Sequence, residues 1–195
     1  AVGRIYEAKG RPSFNPVIVH LADADDLPGV AREVPPLARA LAARFWPGPL
    51  TIVLRRQPVI PDVVTGGSET VGIRVPGHAV ARAVIRAAGV PLAAPSANPF
   101  MRVSPTTAQH VADQLAGRVA LVLDAGPAPV GIESTVVDLT TEPPRLLRPG
   151  GVPRELIEEV TGPLAAPADV AAPDDVRPAP GMVPRHYSPH ARLTL

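Results

Sequence analysis

The sequence contains no cysteine, which excludes disulfide bonds, thiol catalysis and thiolate metal ligands within these 195 residues. Aromatic residues make up only 3% of the chain, so few rings are present for a base-stacking platform. Charge is balanced, with 19 Lys and Arg against 18 Asp and Glu, and net charge therefore indicates no polyanionic partner. No apolar run approaches the roughly 18 residues of a membrane span, and the start has no signal-peptide pattern. We expect a soluble, cytoplasmic protein that does not bind a membrane.

Several motifs with a defined chemistry are also missing. The sequence has neither a Walker loop nor Gly-x-Gly-x-x-Gly, so a nucleotide would have to be held in another way. No Gly-x-Ser-x-Gly elbow accompanies the five histidines, which disfavours a serine hydrolase. No two histidines have metal-ligand spacing within an ordered segment, and we therefore expect no intrinsic metal site.

Proline and arginine are abundant instead. Proline accounts for 27 residues, which fixes many turns, while a hydrophobic content of 46% is enough to form a core. The cationic residues are eighteen arginines and a single lysine, Lys9. A surface position would accept either cation, whereas a compact ammonium group suits a site that binds phosphate. Chance survival of one lysine explains Lys9 at least as well when the residue is considered alone.

Strand and helix patterns alternate along residues 1–162, which predicts an α/β domain with a mixed sheet and helices on its face. The predicted strands are 17–21, 50–54, 70–75, 119–123, 134–139 and 146–147. The predicted helices cover 1–8, 37–46, 78–88, 104–115 and 153–160. Ser104 and Pro105 are expected to open the fourth of these helices as its cap and first residue. Alternation in the strand 70–75 places Arg74 on the face opposite the core.

The composition changes after Gly162. Residues 163–195 contain seven prolines and no periodic pattern, so we predict a domain over 1–162 and an extended linker over 163–195. Within this tail, residues 180–189 concentrate Arg, His, Tyr and Met. That segment is either a spacer or a piece that docks over a site.

Several loops gather hydroxyl, amide and guanidinium groups without a hydrophobic reason. In α/β sheets such groups collect at strand ends around a ligand, and their donors suit phosphate or carboxylate. Ordinary structural explanations also exist: Ser104 as a helix cap, Asn98 as a turn residue and Arg148 as the partner of a surface acid. The groups are Lys9, Arg11 and Asn15, Ser96 and Asn98, Ser104, Ser134 and Thr135, and Arg148.

Eight strings that occur in order over residues 1 to about 160 resemble the YrdC-like family of threonylcarbamoyl-AMP synthases. They are KGRP at 9–12, NPVIVH at 15–20, FWPGPLT at 45–51, VGIRVP at 71–76, PSAN at 95–98, SPT at 104–106, ESTVVD at 133–138 and LRPG at 147–150. The resemblance implies a YrdC-like twisted mixed sheet flanked by helices. It further implies condensation of L-threonine, bicarbonate and ATP, with Mg²⁺, into threonylcarbamoyl-AMP and pyrophosphate. The implied partners are tRNA-modification proteins and, weakly, tRNA or double-stranded RNA.

The resemblance also assigns roles to individual residues. Lys9 and Arg11 would be catalytic and would contact ATP. The other implied ATP contacts are Asn15, Thr70, Ser96, Asn98, Ser104, Arg148 and Tyr187, the last from a lid formed by the linker. The implied threonine pocket consists of His20, Arg74, Ala94 and Ser134. In it Arg74 would pair with the carboxylate through two of its guanidinium nitrogens.

The sequence departs from the family pattern in a few places. The strand and loop that precede Lys9 in the family lie outside this sequence, so either the sequence lacks its beginning or the site is incomplete. The C-terminal accessory domain of the family's long form also lies outside this sequence. Phe100 and Met101 stand where the family has serine and glycine, and they would either narrow the pocket or point outwards. Two other functions stay open: a carbamoyltransferase domain that forms carbamoyl-adenylate, and a YrdC-like module that binds RNA without catalysis.

Overall fold

The computed structural model describes residues 1–166 and Pro180. Six strands of this part of the chain form one mixed sheet in the order β4-β1-β3-β2-β5-β6, which confirms the predicted α/β class. The strands are β1 Val19–His20, β2 Leu50–Arg55, β3 Thr70–Arg74, β4 Leu92–Ala93, β5 Thr135–Asp138 and β6 Arg145–Arg148.

Helices flank this sheet. They are α1 Val2–Lys9, α2 Pro36–Phe45, α3 Asp62–Thr65, α4 Ala79–Ala88, α5 Ala108–Leu115 and α6 Arg154–Thr161, with a 3₁₀ helix at Ala24–Gly29. Neither α3 nor the 3₁₀ helix is predicted by the sequence pattern. Helix α1 ends at Gly10, whose φ of 61° turns the chain sharply between Lys9 and Arg11. No helix among the described residues has the length and apolar character required to cross a membrane.

Strand directions bring several chain segments to one edge of the sheet. Strand β1 is parallel to β3, with His20 beside Arg74, and β3 is antiparallel to β2. Strand β5 is parallel to β2, with Leu50 beside Thr135, and β6 returns antiparallel with Arg148 beside Val136. The ends of β1, β3 and β6 therefore lie at the same edge as the starts of β2 and β5.

The core lies against the sheet and is aliphatic. In β3 the alternation is as predicted, because Val71 and Ile73 are buried whereas Arg74 reaches a cavity at the sheet edge. Packing continues beyond Gly162, since Leu164 is buried and Ala165 forms a parallel bridge with Arg145. The rest of the predicted linker, except Pro180, lies outside the described residues.

The predicted strand at 119–123 is wrong. The backbone there is irregular, and Leu121 is 81% exposed. An apolar run favours a strand only where a neighbouring strand supplies hydrogen bonds, and no described strand pairs with this segment.

The predicted start of the fourth helix is also wrong. Helix α5 begins at Ala108, and the hydroxyl of Thr107 caps it by accepting the backbone N–H of His110 at 3.2 Å. The Ser104 hydroxyl instead donates to the carboxylate of Glu133. A cap must accept a backbone N–H of the first turn, and Thr107 rather than Ser104 is placed to do so because the helix begins at Ala108.

Met101 has a φ of 67°, a value that no other non-glycine residue of the described chain shows on the positive side. Because a side chain in the left-handed region costs about 1 kcal/mol or more, we expect Met101→Gly to raise the free energy of unfolding by up to about 1 kcal/mol. Urea denaturation measures this change. Val103→Gly, in the same loop without a positive φ, is the matched control and should not stabilise; an equal gain from both substitutions would contradict the prediction.

Candidate functional site

A cavity of about 270 Å³ opens at the sheet edge where β1, β3 and β6 end. Side chains that are far apart in the sequence meet around it, as the loop composition predicts. Eight of the residues predicted for the site line this cavity: Arg11, His20, Arg74, Ala94, Ser96, Ser104, Ser134 and Arg148.

Arg74 extends from the end of β3 into the cavity. Its Nε donates to the carbonyl oxygen of Gly48 at 2.9 Å, which fixes the guanidinium at the start of β2. Burial, together with the neighbouring Arg148, lowers the pKa of Arg74. Two guanidinium groups around one buried cavity repel each other, and an anion between them would relieve this repulsion.

Arg148 is held by the start of β5. Its Nε and Nη2 donate to the carbonyl oxygen of Ser134 at 3.1 and 2.9 Å, and Nη2 also lies 3.1 Å from the Ser134 hydroxyl. The hydroxyls of Ser134 and Thr51 are 2.8 Å apart. A Cβ at Gly150 would lie 2.5 Å from the carbonyl oxygen of Glu133, so only glycine permits this close approach of the chains.

Arg11 is buried and held by Asn15. Its Nη2 donates to Asn15 Oδ1 at 2.7 Å and to the carbonyl oxygen of Pro16 at 2.6 Å. The centroid of the Phe100 ring lies 6.0 Å from Arg11 Cζ, so the Phe100 ring contacts the Arg11 guanidinium. Asn15 is not part of the cavity lining, and its position shows that it orients Arg11.

Lys9 lies behind the cavity lining. Its side chain is buried, and Nζ donates to the carbonyl oxygens of Ser96, at 2.6 Å, and Asn98. Burial, with a smaller contribution from Arg11, lowers the pKa of Lys9 to about 8. The ammonium group therefore fixes the backbone that carries Ser96 and is mostly charged at pH 7.

Two further predicted ATP contacts, Thr70 and Asn98, are absent from the described cavity lining, as are Lys9 and Asn15. Thr70 lies at the far end of β3 beside Arg55, and its hydroxyl is 2.9 Å from that of Ser68. The Asn98 amide donates to the carbonyl oxygens of Pro99 and Arg102, which matches the role of a turn residue. Tyr187 lies outside the described residues.

His20 is a neutral lining group. Burial, and secondarily the charge of Arg74, lowers its pKa to about 4. The imidazole is therefore uncharged at neutral pH and can exchange hydrogen bonds with a ligand. A general base that works at pH 7 needs a pKa near that value, so His20 does not fit that role.

Glu133 also lines the cavity, although the sequence patterns do not assign it to the site. Its position directly before Ser134 was the available signal. Among the described residues, no group of three or more histidine or acidic side chains could hold a metal ion. The residues present thus provide hydrogen-bond donors and guanidinium groups.

An α/β domain whose sheet edge collects three arginines and three serines around a cavity has the features of domains that bind anionic ligands. A model of the Sua5, YciO and YrdC family, described as "Telomere recombination", matches residues 1–150. The chain therefore belongs to the Sua5/YciO/YrdC family.

Relatives within this family are closely similar. The threonylcarbamoyl-AMP synthase of Pyrococcus abyssi is 50% identical over 100% of this chain and 58% of that protein. That of Bacillus subtilis is 47% identical over 100% of this chain and 57% of that protein. The crystal structure of P. abyssi Sua5 complexed with L-threonine matches with a TM-score of 0.93 and 49% identity, over 97% of this chain and 56% of that one. The chain thus spans little more than half the length of these relatives.

Proposed function

We propose that this chain carries the activity of an L-threonylcarbamoyladenylate synthase. This nucleotidyltransferase forms threonylcarbamoyl-AMP, pyrophosphate and water from L-threonine, bicarbonate and ATP. The observation that supports it best is the gathering of Arg11, Arg74 and Arg148 around one cavity, in a chain closely similar to a Sua5 whose structure contains L-threonine.

The reaction needs alignment and charge neutralisation more than covalent chemistry. The threonine amine first captures bicarbonate as an N-carboxylate, and an oxygen of that group then displaces pyrophosphate from the α-phosphorus of ATP. The two reacting groups are both anions, and they approach only where fixed cations offset their repulsion. In this proposal Arg74 binds the threonine carboxylate, while Arg11 and Arg148 stabilise the phosphates.

Serine hydroxyls and a divalent cation complete the proposed nucleotide site. Ser96 would donate to a phosphate oxygen, and Lys9 would keep the loop of Ser96 in place. Ser104 would lie on the nucleotide side of the cavity with its hydroxyl donated to Glu133. Mg²⁺ bound to ATP would neutralise phosphate charge. Because Glu133 is the one carboxylate among the described lining residues, such an ion would be held mainly by phosphate oxygens and water.

The proposed product would serve the formation of threonylcarbamoyl-adenosine in tRNA, a cytoplasmic modification that involves partner proteins. Residues 180–189 would act as a lid through which Tyr187 reaches the nucleotide. Such a lid would exclude water from an intermediate that hydrolyses easily.

Pyrophosphate release tests the proposal. The chain is incubated with threonine, bicarbonate and MgATP, each is omitted in turn, and the product is identified by mass spectrometry. We expect release only with the full set and a product with the mass of threonylcarbamoyl-AMP. Release with carbamoyl phosphate in place of threonine and bicarbonate would favour the carbamoyltransferase. Tight filter binding of tRNA without any release would favour the RNA-binding module.

A further inference from the structure

The cavity contains one acidic side chain in a cationic surrounding. Among the described residues that line it, Arg11, Arg74 and Arg148 carry positive charge and Glu133 alone carries a carboxylate. In a cavity that bound only phosphate and carboxylate groups, the Glu133 carboxylate would weaken binding, because it would repel both kinds of group. The position of Glu133 therefore indicates that the cavity also binds a positively charged part of a ligand.

Glu133 is fixed at the junction of two groups of residues. Its carboxylate accepts the hydroxyl of Ser104, which belongs to the proposed nucleotide site. The next residue in the chain is Ser134, which belongs to the proposed threonine site and contacts Arg148. The Glu133 backbone is held as well, since its carbonyl oxygen accepts the N–H of Gly151 at 2.9 Å. The carboxylate thus lies between the two sites.

The chemistry of the proposed reaction places a cationic group at this junction. An amino acid is bound as a zwitterion, with an ammonium group two bonds from its carboxylate carbon. Once carboxylated, the same nitrogen must bring an oxygen to the α-phosphorus, so it has to lie between the carboxylate site and the nucleotide. Guanidinium groups alone would repel the ammonium group and would bind any small carboxylic acid.

We propose that Glu133 is a specificity-determining residue that binds the α-ammonium group of the amino acid substrate. This inference rests on the proposed function. In this arrangement Arg74 receives the carboxylate, Glu133 receives the ammonium group, and the pair selects an amino acid over a hydroxy acid of the same size. Ser104 positions the Glu133 carboxylate through its hydroxyl.

Glu133→Gln keeps the shape of the side chain and removes its charge. Because the ammonium group would lose its charged hydrogen-bond acceptor, we expect the KM for threonine to rise about 10-fold or more. The KM for ATP and the requirement for Mg²⁺ should stay within about 2-fold, since the phosphates do not contact the proposed ammonium site. Glu155→Gln, at an exposed position of α6, is the matched control and should leave all three unchanged.

Binding provides a second readout that does not need turnover. Calorimetry compares threonine with 2,3-dihydroxybutanoate, in which a hydroxyl replaces the ammonium group. The wild-type chain should prefer threonine, and Glu133→Gln should lose most of this preference. Glu133→Asp, which keeps the charge, should retain part of it. Ser104→Ala removes only the positioning hydrogen bond and should reduce the preference less than Glu133→Gln. Thermal melting confirms that each variant is folded.

The outcomes separate the inference from the proposed function. If the wild-type chain releases pyrophosphate and Glu133→Gln keeps both the wild-type KM and the preference for threonine, the inference alone is overturned. A raised Mg²⁺ requirement with an unchanged KM for threonine would assign Glu133 to the metal instead and would also overturn it. A wild-type chain that neither binds threonine nor releases pyrophosphate overturns the proposed function and this inference together.

Discussion

Arg74→Ala should raise the KM for threonine about 100-fold or more, because removal of one member of a buried charge pair costs about 3 kcal/mol. The guanidinium projects from the end of β3, is fixed by its hydrogen bond to the Gly48 carbonyl oxygen, and faces the cavity beside Arg148. Since its proposed partner is the threonine carboxylate, the KM for ATP should change far less. Initial rates of pyrophosphate release at varied threonine and varied ATP measure both constants.

Two further substitutions control this experiment. Arg74→Lys keeps the positive charge but loses the planar fork that binds a carboxylate through two nitrogens, so it should recover only part of the affinity. Arg39→Ala changes an exposed arginine on α2 that does not line the cavity and should leave the KM for threonine unchanged. An equal rise in the KM for ATP after Arg74→Ala would contradict the assignment of Arg74 to the threonine side.

The sheet and its edge could be predicted because their signals are local. Strand β3 shows clear alternation, which places Arg74 correctly, and His78 and Gly89 bound α4 as the sequence indicates. Segment 119–123 is an unbroken run of apolar residues and forms no strand, because strand formation also depends on pairing that the local pattern does not contain. Strand β4 pairs with β1 and was not predicted, because its two residues are too short to carry a recognisable pattern.

Contacts within the site were harder to predict because they join distant parts of the sequence. Ser104 carries a local cap signal, yet Thr107 caps the helix and the Ser104 hydroxyl donates to Glu133, 29 residues further on. Glu133 itself is missed because an acid beside a strand looks like a surface residue until the fold surrounds it with arginines. The motif resemblance predicted that Arg11, Ser96 and Arg148 share one site, and all three line the cavity. That Lys9 and Thr70 do not line it is visible only in the structure.

Lys9→Ala should lower kcat/KM for ATP about 1,000-fold, the scale found when a charge-stabilising group is removed from a phosphoryl-transfer site. Lys9 is the single lysine of the chain, and its ammonium group holds the carbonyl oxygens of Ser96 and Asn98 next to the cavity. Its loss removes a cation and releases the loop that carries Ser96. Threonine binding measured without ATP should weaken much less, and an equal loss of threonine affinity would instead indicate collapse of the whole site.

The same residue should make catalysis dependent on pH. Burial lowers the pKa of Lys9 to about 8, so its charge is present below pH 8 and is lost as the pH rises through that value. We expect kcat/KM for ATP to fall above about pH 8 in the wild-type chain. In Lys9→Arg, whose guanidinium stays charged, the remaining activity should fall only at higher pH.

Between pH 8 and 10.5 the unfolded chain binds the Lys9 proton more tightly than the folded chain, so this residue should make the free energy of unfolding rise with pH. A lysine-labelled sample gives one side-chain NMR signal, and a titration midpoint near 10.5 would contradict the prediction.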